Sequence, residues 1–124
     1  MKSIVTGGAG FIGSNLVDLL LENGHEVIVI DNESSDAHES FYWNDQTTQS
    51  KADITDFAAI RPLFDGVDYV FHLAAESRIQ PAILNPTYAT EVNVVGTCNI
   101  LQAAREAGVK RVIYSSTSAA YGLS

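Results

Sequence analysis

A glycine-rich stretch near the start of the chain has the residue types and spacing of a phosphate-binding turn. Glycines stand at positions 7, 8 and 10, after the apolar segment 2–6, and at position 13, in the first turn of a helix predicted to begin at Phe11. In a dinucleotide site, one such glycine permits the tight turn, one lets the backbone approach the pyrophosphate, and one lets the helix lie close to the strand. The helix directs its free N–H groups and the positive end of its dipole at the pyrophosphate. The stretch therefore predicts a dinucleotide site, with a glycine turn that binds no nucleotide as the alternative.

An acidic residue follows where such a site requires one. The second predicted strand, 26–30, ends next to Asp31, eighteen residues after Gly13. A carboxylate at the end of this strand accepts hydrogen bonds from the hydroxyls of the adenosine ribose and repels a 2′-phosphate. The position of Asp31 therefore predicts that the cofactor is NAD rather than NADP.

Alternating strand and helix patterns place this stretch within a fold. Strands are predicted at 2–6, 26–30, 49–52, 67–72 and 111–115, and helices at 11–23, 57–64 and 87–107. Gly24 and Gly108 are expected to end the helices before them, Asp56 to cap the second helix, and Pro62 to shorten it. The compact crossovers predict a doubly wound α/β fold, in which helices cover both faces of a parallel sheet with strand order 3-2-1-4-5.

Several apolar side chains are predicted to pack inside the domain. Four of them lie on one side of the first helix: Ile12, Leu16, Leu19 and Leu20. Cys98 lies in a helical pattern with Val94 and Leu101, which favours buried packing over nucleophilic chemistry. The aromatic residues 41–43 interrupt the polar loop 32–48 and are predicted to anchor it, with contact to a ligand as the alternative.

Length and composition fit one globular domain. The chain has 124 residues, of which 46% are hydrophobic and 18% charged. Its net charge of -8 disfavours nucleic acids and anionic membrane surfaces as partners. The single cysteine, Cys98, forms no internal disulfide, and His25, His38 and His72 lack metal-ligand spacing, so no metal site is predicted. No apolar run has the length of a signal peptide or a membrane span, and a cytoplasmic protein is expected.

Six motifs, in order along the chain, carry a resemblance to a known family. They are Thr6–Gly13, Asp31–Asn32, Asp53–Ile54, His72–Ala75, Asn93–Thr97 and Ser115–Gly122. With them the chain resembles the N-terminal portion of an extended short-chain dehydrogenase/reductase of the NAD-dependent sugar-nucleotide epimerase/dehydratase group, particularly the UDP-hexose 4-epimerases. The resemblance implies a Rossmann-type fold, NAD as cofactor and a nucleotide sugar as substrate. It also implies that residues 1–124 are one NAD-binding domain, incomplete after the fifth strand and without the substrate-binding region.

The resemblance further implies a role for each matched residue. The pyrophosphate would be surrounded by Gly7, Gly10, Phe11, Ile12 and Gly13, and the adenosine ribose would be held by Asp31 and Asn32. The remaining cofactor residues would be Asp53 on the adenine amino group, Ile54 on the adenine ring, Leu73, Ala74 and Ala75 beside the nicotinamide ribose, and Asn93 near the site. The catalytic hydroxyl, which hydrogen-bonds the reacting hydroxyl of the sugar, would belong to Thr117, with Ser115 and Ser116 close by.

The catalytic set of the resembled family is not complete in these residues. Its general base is a tyrosine in a Tyr-x-x-x-Lys helix, where the lysine lowers the pKa of the phenol. No tyrosine here has a lysine four residues later, and Tyr121 matches a different tyrosine of the family pattern. We therefore expect these residues alone to be inactive in the family's 4-epimerisation, which passes a hydride to NAD and back through a 4-keto sugar. We also expect self-association or a homo-oligomer, because strand 111–115 would leave an open sheet edge.

Other functions share parts of this pattern. A stand-alone NAD-binding module would use the same cofactor residues without catalysis. A sugar-nucleotide 4,6-dehydratase or reductase would share the fold, but dehydratases tend to carry acidic residues where Ser118 follows Thr117. A methyltransferase also combines a glycine turn with an acidic residue at the end of the second strand.

Overall fold

Five parallel strands form the centre of the computed structural model, which describes residues 1–9, 11–32, 43–73 and 91–114. The strands are β1 (Lys2–Thr6), β2 (Glu26–Ile30), β3 (Thr48–Ser50), β4 (Tyr69–His72) and β5 (Arg111–Tyr114). The helical segments are α1 (Phe11–Glu22), α2 (Phe57–Ile60), a 3-10 turn (Arg61–Phe64), a π-helical segment (Glu91–Gly96) and α3 (Thr97–Ala107). Within the described ranges, no helix has the length and apolarity needed to span a bilayer.

The order of the strands confirms the predicted doubly wound arrangement. β1 pairs in parallel with β2 on one side and with β4 on the other, while β3 lies beyond β2 and β5 beyond β4. The resulting order, β3-β2-β1-β4-β5, is the predicted 3-2-1-4-5. All residues of β1 after Lys2 are buried, as expected of a central strand with neighbours at both edges and helices on both faces.

Apolar side chains fill the two faces of the sheet alternately, because successive strand residues point to opposite sides. On one face, Ile4 belongs to a core with Phe64 of the 3-10 turn and Ile100 of α3, and all three are fully buried. On the other face, Val5 belongs to a core with Val17 of α1. The crossover helices therefore cover both faces, which makes the sheet the middle of three layers.

The predicted helix signals are confirmed. Gly24 and Gly108 have φ angles of +81° and +74°, in the left-handed region that favours glycine after a helix. The Asp56 carboxylate accepts a hydrogen bond from Ala59 N at 3.2 Å and so caps α2. Pro62 lies in the 3-10 turn, so α2 ends at Ile60 as the proline predicts.

Several predicted boundaries are displaced by a few residues. The third strand, predicted at 49–52, is β3 at Thr48–Ser50, and the fourth, predicted from 67, begins at Tyr69. The long helix predicted at 87–107 is described from residue 91, as the π-helical segment followed by α3, and residues 87–90 lie outside the described ranges. Trp43 packs against the core around Val5, which confirms its anchoring role, whereas 41 and 42 lie outside the described ranges.

The prediction for the buried side of α1 is partly wrong. Ile12 and Leu19 are 71% and 55% exposed, while Leu20 is buried and Leu16 half-buried. Apolar residues surround most of this helix, so their periodicity does not select one side. The buried face follows positions 13, 17 and 20, because the small residue at 13 lets the helix approach the strands.

The prediction that Cys98 is buried is also wrong. The thiol is exposed, and so are Val94 and Leu101 in the same helical row, at 56% and 51%. The buried residues of α3 are Ile100, Ala103 and Ala104. Two alanines beside one isoleucine let the helix lie close to the sheet, which turns the row of Cys98 away from the core.

Replacing Phe64 tests the core on this face. Phe64→Ala should lower the free energy of unfolding by about 3–5 kcal/mol, because it removes a fully buried ring and leaves a cavity. Denaturant unfolding followed by circular dichroism measures the change. Leu19→Ala is the matched control, since a side chain that is 55% exposed should change stability by no more than about 0.5 kcal/mol. Equal losses in the two variants would contradict this packing.

Candidate functional site

The last residues of the five strands lie side by side across the sheet. Thr6 of β1 pairs with Ile30 and with His72, Ile30 pairs with Ser50, and His72 pairs with Tyr114. Each strand therefore reaches the carboxyl edge of the sheet at the same level. The segments that follow the strands meet at this edge, where ligands bind in open parallel sheets.

The glycine-rich turn continues the hydrogen bonding of β1 and then approaches α1 closely. Gly7 N donates to Ile30 O at 2.8 Å, and Gly7 has a φ of +71°. A Cβ atom at Gly13 would lie 2.8 Å from both the Gly7 carbonyl carbon and Gly8 Cα, and closer still to the Gly7 oxygen. Only a residue without a side chain allows this distance between the first turn of the helix and the backbone of the turn. The start of α1 is thus held at the edge, with its positive dipole end beside the turn.

Asp31 is held against the same turn. Its side chain is only 8% exposed, and its Oδ2 accepts a hydrogen bond from Ala9 N at 3.0 Å. Its own backbone N–H donates to Ser50 O at 3.1 Å, which continues the β2–β3 ladder by one residue. A largely buried carboxylate therefore stands at the end of β2 and is bonded to the glycine-rich turn, while the backbone of the same residue is bonded to β3.

A second acidic residue lies at the same edge, after β3. Asp53 Oδ1 accepts from the backbone N–H and the hydroxyl of Thr55, at 2.9 and 2.8 Å. Asp53 Oδ2 lies 3.5 Å from Asn32 Nδ2, at the long limit of a hydrogen bond. Asn32 follows Asp31, so this contact joins the segments after β2 and β3.

The residue after Asp53 is held by the helix on that face of the sheet. Ile54 is buried, and its carbonyl oxygen accepts from Asn99 Nδ2 at 2.9 Å. Gly96 lies against its side chain, since a Cβ atom at Gly96 would be 2.6 Å from Ile54 Cγ1. The segment after β3 therefore contacts the start of α3 through both the backbone and the side chain of Ile54.

A buried row of polar side chains connects β1, β4 and α3. Thr6 Oγ1 lies 2.7 Å from His72 Nδ1, and His72 Nε2 lies 2.9 Å from Thr97 Oγ1. Leu73 N donates to Thr6 Oγ1 at 2.9 Å, so the residue that follows β4 is bound to the end of β1. No buried side-chain nitrogen or oxygen in the described ranges lacks a partner. The row fixes the end of β4 beside the glycine-rich turn.

Burial lowers the pKa of His72 to about 4. The imidazole is only 2% exposed, and desolvation penalises its charged form. The ring is therefore neutral near pH 7, with one nitrogen donating and the other accepting. Hydroxyls suit both nitrogens, because a hydroxyl either donates or accepts. The ring of Tyr114 lies 5.5 Å from that of His72, centre to centre, and completes its surroundings on the β5 side.

The structure brings together the predicted site residues that it describes. Gly7, Asp31, Asn32, Asp53, Ile54 and Leu73 follow strand ends at one edge, and Ile12 and Gly13 lie in the first turn of α1 beside them. Others lie outside the described ranges: Gly10, Ala74, Ala75, Ser115 and Thr117. The backbone of Phe11 and Asn93 is described, at the start of α1 and in the π-helical segment, but their side chains are not.

Four polar residues support this edge, although the sequence analysis assigned no function to any of them. They are Thr6, His72, Thr97 and Asn99. A signal for the first two was present, because each is a polar residue at the end of an apolar strand, where burial requires a partner. Asn99 lies three positions after Gly96, on the same side of the helix. That spacing shows which residues share a face but not which segment they meet.

The residues at this edge fit a dinucleotide. A side chain at position 13 would occupy the space in which the turn and helix meet, so glycine is required there. The buried carboxylate of Asp31 lies at the end of the neighbouring strand, as a ribose-binding acidic residue does. Among the described residues, no group of three or more His, Cys, Asp and Glu side chains has the arrangement of a metal site.

Comparisons with known proteins agree with this geometry. Residues 3–124 match the model of the NAD dependent epimerase/dehydratase family. A UDP-glucose 4-epimerase of Mycolicibacterium smegmatis is 40% identical to this chain over 94% of it, which corresponds to 39% of that relative.

Two solved structures are similar along nearly the whole chain. The UDP-glucose 4-epimerase of Thermotoga maritima with UDP-glucose has a TM-score of 0.91 and 39% identity, covering 100% of this chain and 40% of that one. The UDP-glucose 4-epimerase of Thermus thermophilus in complex with NAD has a TM-score of 0.84 and 34% identity, covering 94% and 38%. The chain therefore spans about two fifths of the length of these relatives.

Gly13→Ala should show how tightly the turn and α1 meet. The added methyl would collide with backbone atoms of Gly7 and Gly8, and a loss of about 3 kcal/mol or more is expected, as for severe overpacking. Gly24→Ala is the control, because that position has open space and only a positive φ, which costs about 1 kcal/mol. Chemical denaturation of both variants measures the difference. A smaller loss for Gly13→Ala than for Gly24→Ala would refute the proposed close approach.

The buried His72 predicts a pH dependence of stability. The folded pKa of about 4 lies below the ordinary value of 6.5, so the unfolded chain binds the proton first as the pH falls. The free energy of unfolding should keep its full value above pH 6.5 and decrease as the pH falls toward 4. The expected loss is about 2 kcal/mol between about pH 7 and about pH 5. Urea titrations at several pH values measure this slope.

His72→Gln should flatten that slope, because glutamine does not titrate in this range. His25→Gln is the matched control, since His25 bonds to Ser3 Oγ away from the buried row and its replacement leaves His72 in place. The stability of the His25→Gln variant should still decrease as the pH falls. An unchanged slope in His72→Gln would assign the pH dependence to other groups.

Proposed function

The chain belongs to the NAD dependent epimerase/dehydratase family, and from this membership we propose that residues 1–124 are its NAD-binding domain. One observation carries the proposal. At the carboxyl edge of the sheet, a glycine turn too tight for any side chain at position 13 lies beside the buried carboxylate of Asp31. A pyrophosphate at the start of α1 and a ribose at the end of β2 are the groups that such a pair binds.

The proposed site assigns its residues to successive parts of the NAD molecule. The pyrophosphate is assigned to Gly7, Gly10, Phe11, Ile12 and Gly13, the adenosine ribose to Asp31 and Asn32, adenine to Asp53 and Ile54, and the nicotinamide ribose to Leu73, Ala74 and Ala75, with Asn93 and Ser115 nearby. Support comes from the described members of this set, which converge on one edge. Backbone N–H groups at the turn and helix start bind phosphate oxygens, and carboxylates accept from hydroxyl and amino groups.

For the whole protein we propose a sugar-nucleotide 4-epimerase. Support comes from relatives and solved structures named as UDP-glucose 4-epimerases, at 34–40% identity. When bound, NAD supplies the acceptor and donor of a hydride. Thr117 is proposed to hydrogen-bond the reacting hydroxyl of the sugar, and this residue lies outside the described ranges. Incubating the whole protein with UDP-glucose and analysing the products for the 4-epimer tests this activity.

A cytoplasmic homo-oligomer that binds neither nucleic acid nor membrane is the remaining part of the proposal. The net charge of -8 opposes binding to phosphate-rich surfaces. The apolar side chains of Val94, Leu101 and Ile113 are 56%, 51% and 40% exposed, and their burial between subunits would stabilise an oligomer. Light scattering at several protein concentrations measures the state of association.

Calorimetry with NAD and NADP tests the proposed cofactor site in the 124-residue chain. NAD should bind more tightly than NADP, because the Asp31 carboxylate accepts from the ribose hydroxyls and repels a 2′-phosphate. Asp31→Asn should weaken NAD binding by about tenfold, as expected for the loss of a charge-assisted hydrogen bond. The same substitution should reduce the preference for NAD over NADP.

Asp65→Asn is the matched control, since it removes the same charge beside Arg61, remote from the carboxyl edge. It should leave both affinities unchanged. Absence of NAD binding by the unaltered chain would refute the proposal that residues 1–124 are an NAD-binding domain. Normal binding with an unchanged preference in Asp31→Asn would refute only the role of Asp31.

A further inference from the structure

Two residues one helical turn apart hold the segment that follows β3. Asn99 Nδ2 donates to the carbonyl oxygen of Ile54 at 2.9 Å. Gly96 faces the side chain of the same residue, and a Cβ atom there would lie 2.5 and 2.6 Å from Ile54 Cδ1 and Cγ1. A spacing of three places both residues on one face of the helix. The helix start therefore contacts Ile54 both through a hydrogen bond and through a surface without a side chain.

The contact acts on a segment in which Asp53 bonds to residues that are close to it in sequence. Asp53 Oδ1 accepts from Thr55, two residues away, and Asp53 O accepts from Asp56 N at 3.0 Å. These bonds shape the turn but do not fix where it lies relative to the sheet. The contact from Asn32 to Asp53 is long, at 3.5 Å, and contributes little to its position. The hydrogen bond from Asn99, across 45 residues of sequence, is shorter and sets that position more strongly.

We infer that Gly96 and Asn99 are positioning residues that determine how the proposed NAD site recognises adenine. The inference rests on the proposed function, in which Asp53 accepts from the adenine amino group and Ile54 contacts the ring. Neither positioning residue touches the cofactor in this scheme. Asn99 fixes the backbone of Ile54, and Gly96 lets its side chain lie against the helix. Together they hold the Asp53 carboxylate at the distance that the amino group requires.

A base without an amino group separates this role from general support of the fold. In nicotinamide hypoxanthine dinucleotide, a carbonyl oxygen replaces the adenine amino group. A carboxylate accepts hydrogen bonds but does not donate, so an Asp53 carboxylate aimed at the amino group favours adenine and repels the carbonyl oxygen that replaces it. The N–H of hypoxanthine lies on the adjacent ring nitrogen, out of line with a carboxylate held in that position. The ratio of the two dissociation constants therefore reports the position of Asp53, whereas a general loss of order weakens both ligands equally.

Calorimetry with the two dinucleotides tests the inference in the unaltered chain and in Asn99→Ala. The unaltered chain should prefer NAD by about tenfold or more, as expected for a hydrogen bond to a charged acceptor. Asn99→Ala should reduce this preference to about threefold or less, since the shifted carboxylate loses its alignment with the amino group. Asn99→Asp should do the same, because it has nearly the same shape and no hydrogen to donate to the Ile54 carbonyl.

The matched control is Gln102→Ala on the exposed side of the same helix. Gln102 is exposed and donates to Glu106 on its own helix rather than to the Ile54 carbonyl, so the preference should remain as in the unaltered chain. If Asn99→Ala does not fold, Asn99→Asp provides the measurement. An unchanged preference, or equal weakening of both dinucleotides, would overturn the inference while leaving the NAD site intact. Absence of NAD binding by the unaltered chain would instead refute the proposed function, and the inference with it.

Discussion

The parallel register of the sheet is the constraint on which the other features depend. Because β1 pairs with β2 and β4 so that Thr6 lies opposite both Ile30 and His72, three strands end at one level. The backbone N–H of the next residue then continues the ladder in each case, from Gly7 to Ile30 and from Leu73 to Thr6. A shift of one residue in any pair would move a whole set of side chains to the other face of the sheet. Burial on both faces therefore protects the alignment of the edge as well as the core.

Two glycines, which have no side chain, determine how closely the helices approach that edge. On one face, glycine at 13 lets α1 meet the backbone of the turn, and on the other, glycine at 96 lets the start of α3 meet Ile54. A methyl group at either place would overlap atoms that are already packed, and packed interiors yield little to such strain. On each face of the sheet, a glycine thus allows a helix to lie in close contact with the backbone or side chain of a segment that follows a strand. One glycine places a helix terminus, and the other places the segment after β3.

The sequence was sufficient for the order of the strands, the ends of the helices and the position of the edge. Alternating apolar segments, Gly24 and Gly108 mark these features locally, within a few residues of where they act. It was not sufficient for the faces of the helices. Ile12 and Cys98 are both exposed, although each lies in an apolar row. Helices with apolar residues on several sides are oriented by the small residues that permit close approach, and this depends on the surface they meet.

The polar residues that support the edge show what a sequence pattern omits. Thr6 and His72 are 66 positions apart, and Asn99 is 45 positions from the carbonyl it binds. No local periodicity joins such partners, because their contact exists only after the sheet has formed. Residue type nevertheless carries information, since a buried polar group without a partner costs about 1–3 kcal/mol. A threonine or histidine at the end of an apolar strand therefore implies a partner from another segment. At the carboxyl edge of a parallel sheet, such a pair ties together the segments that follow the strands, which are the segments that bind ligands.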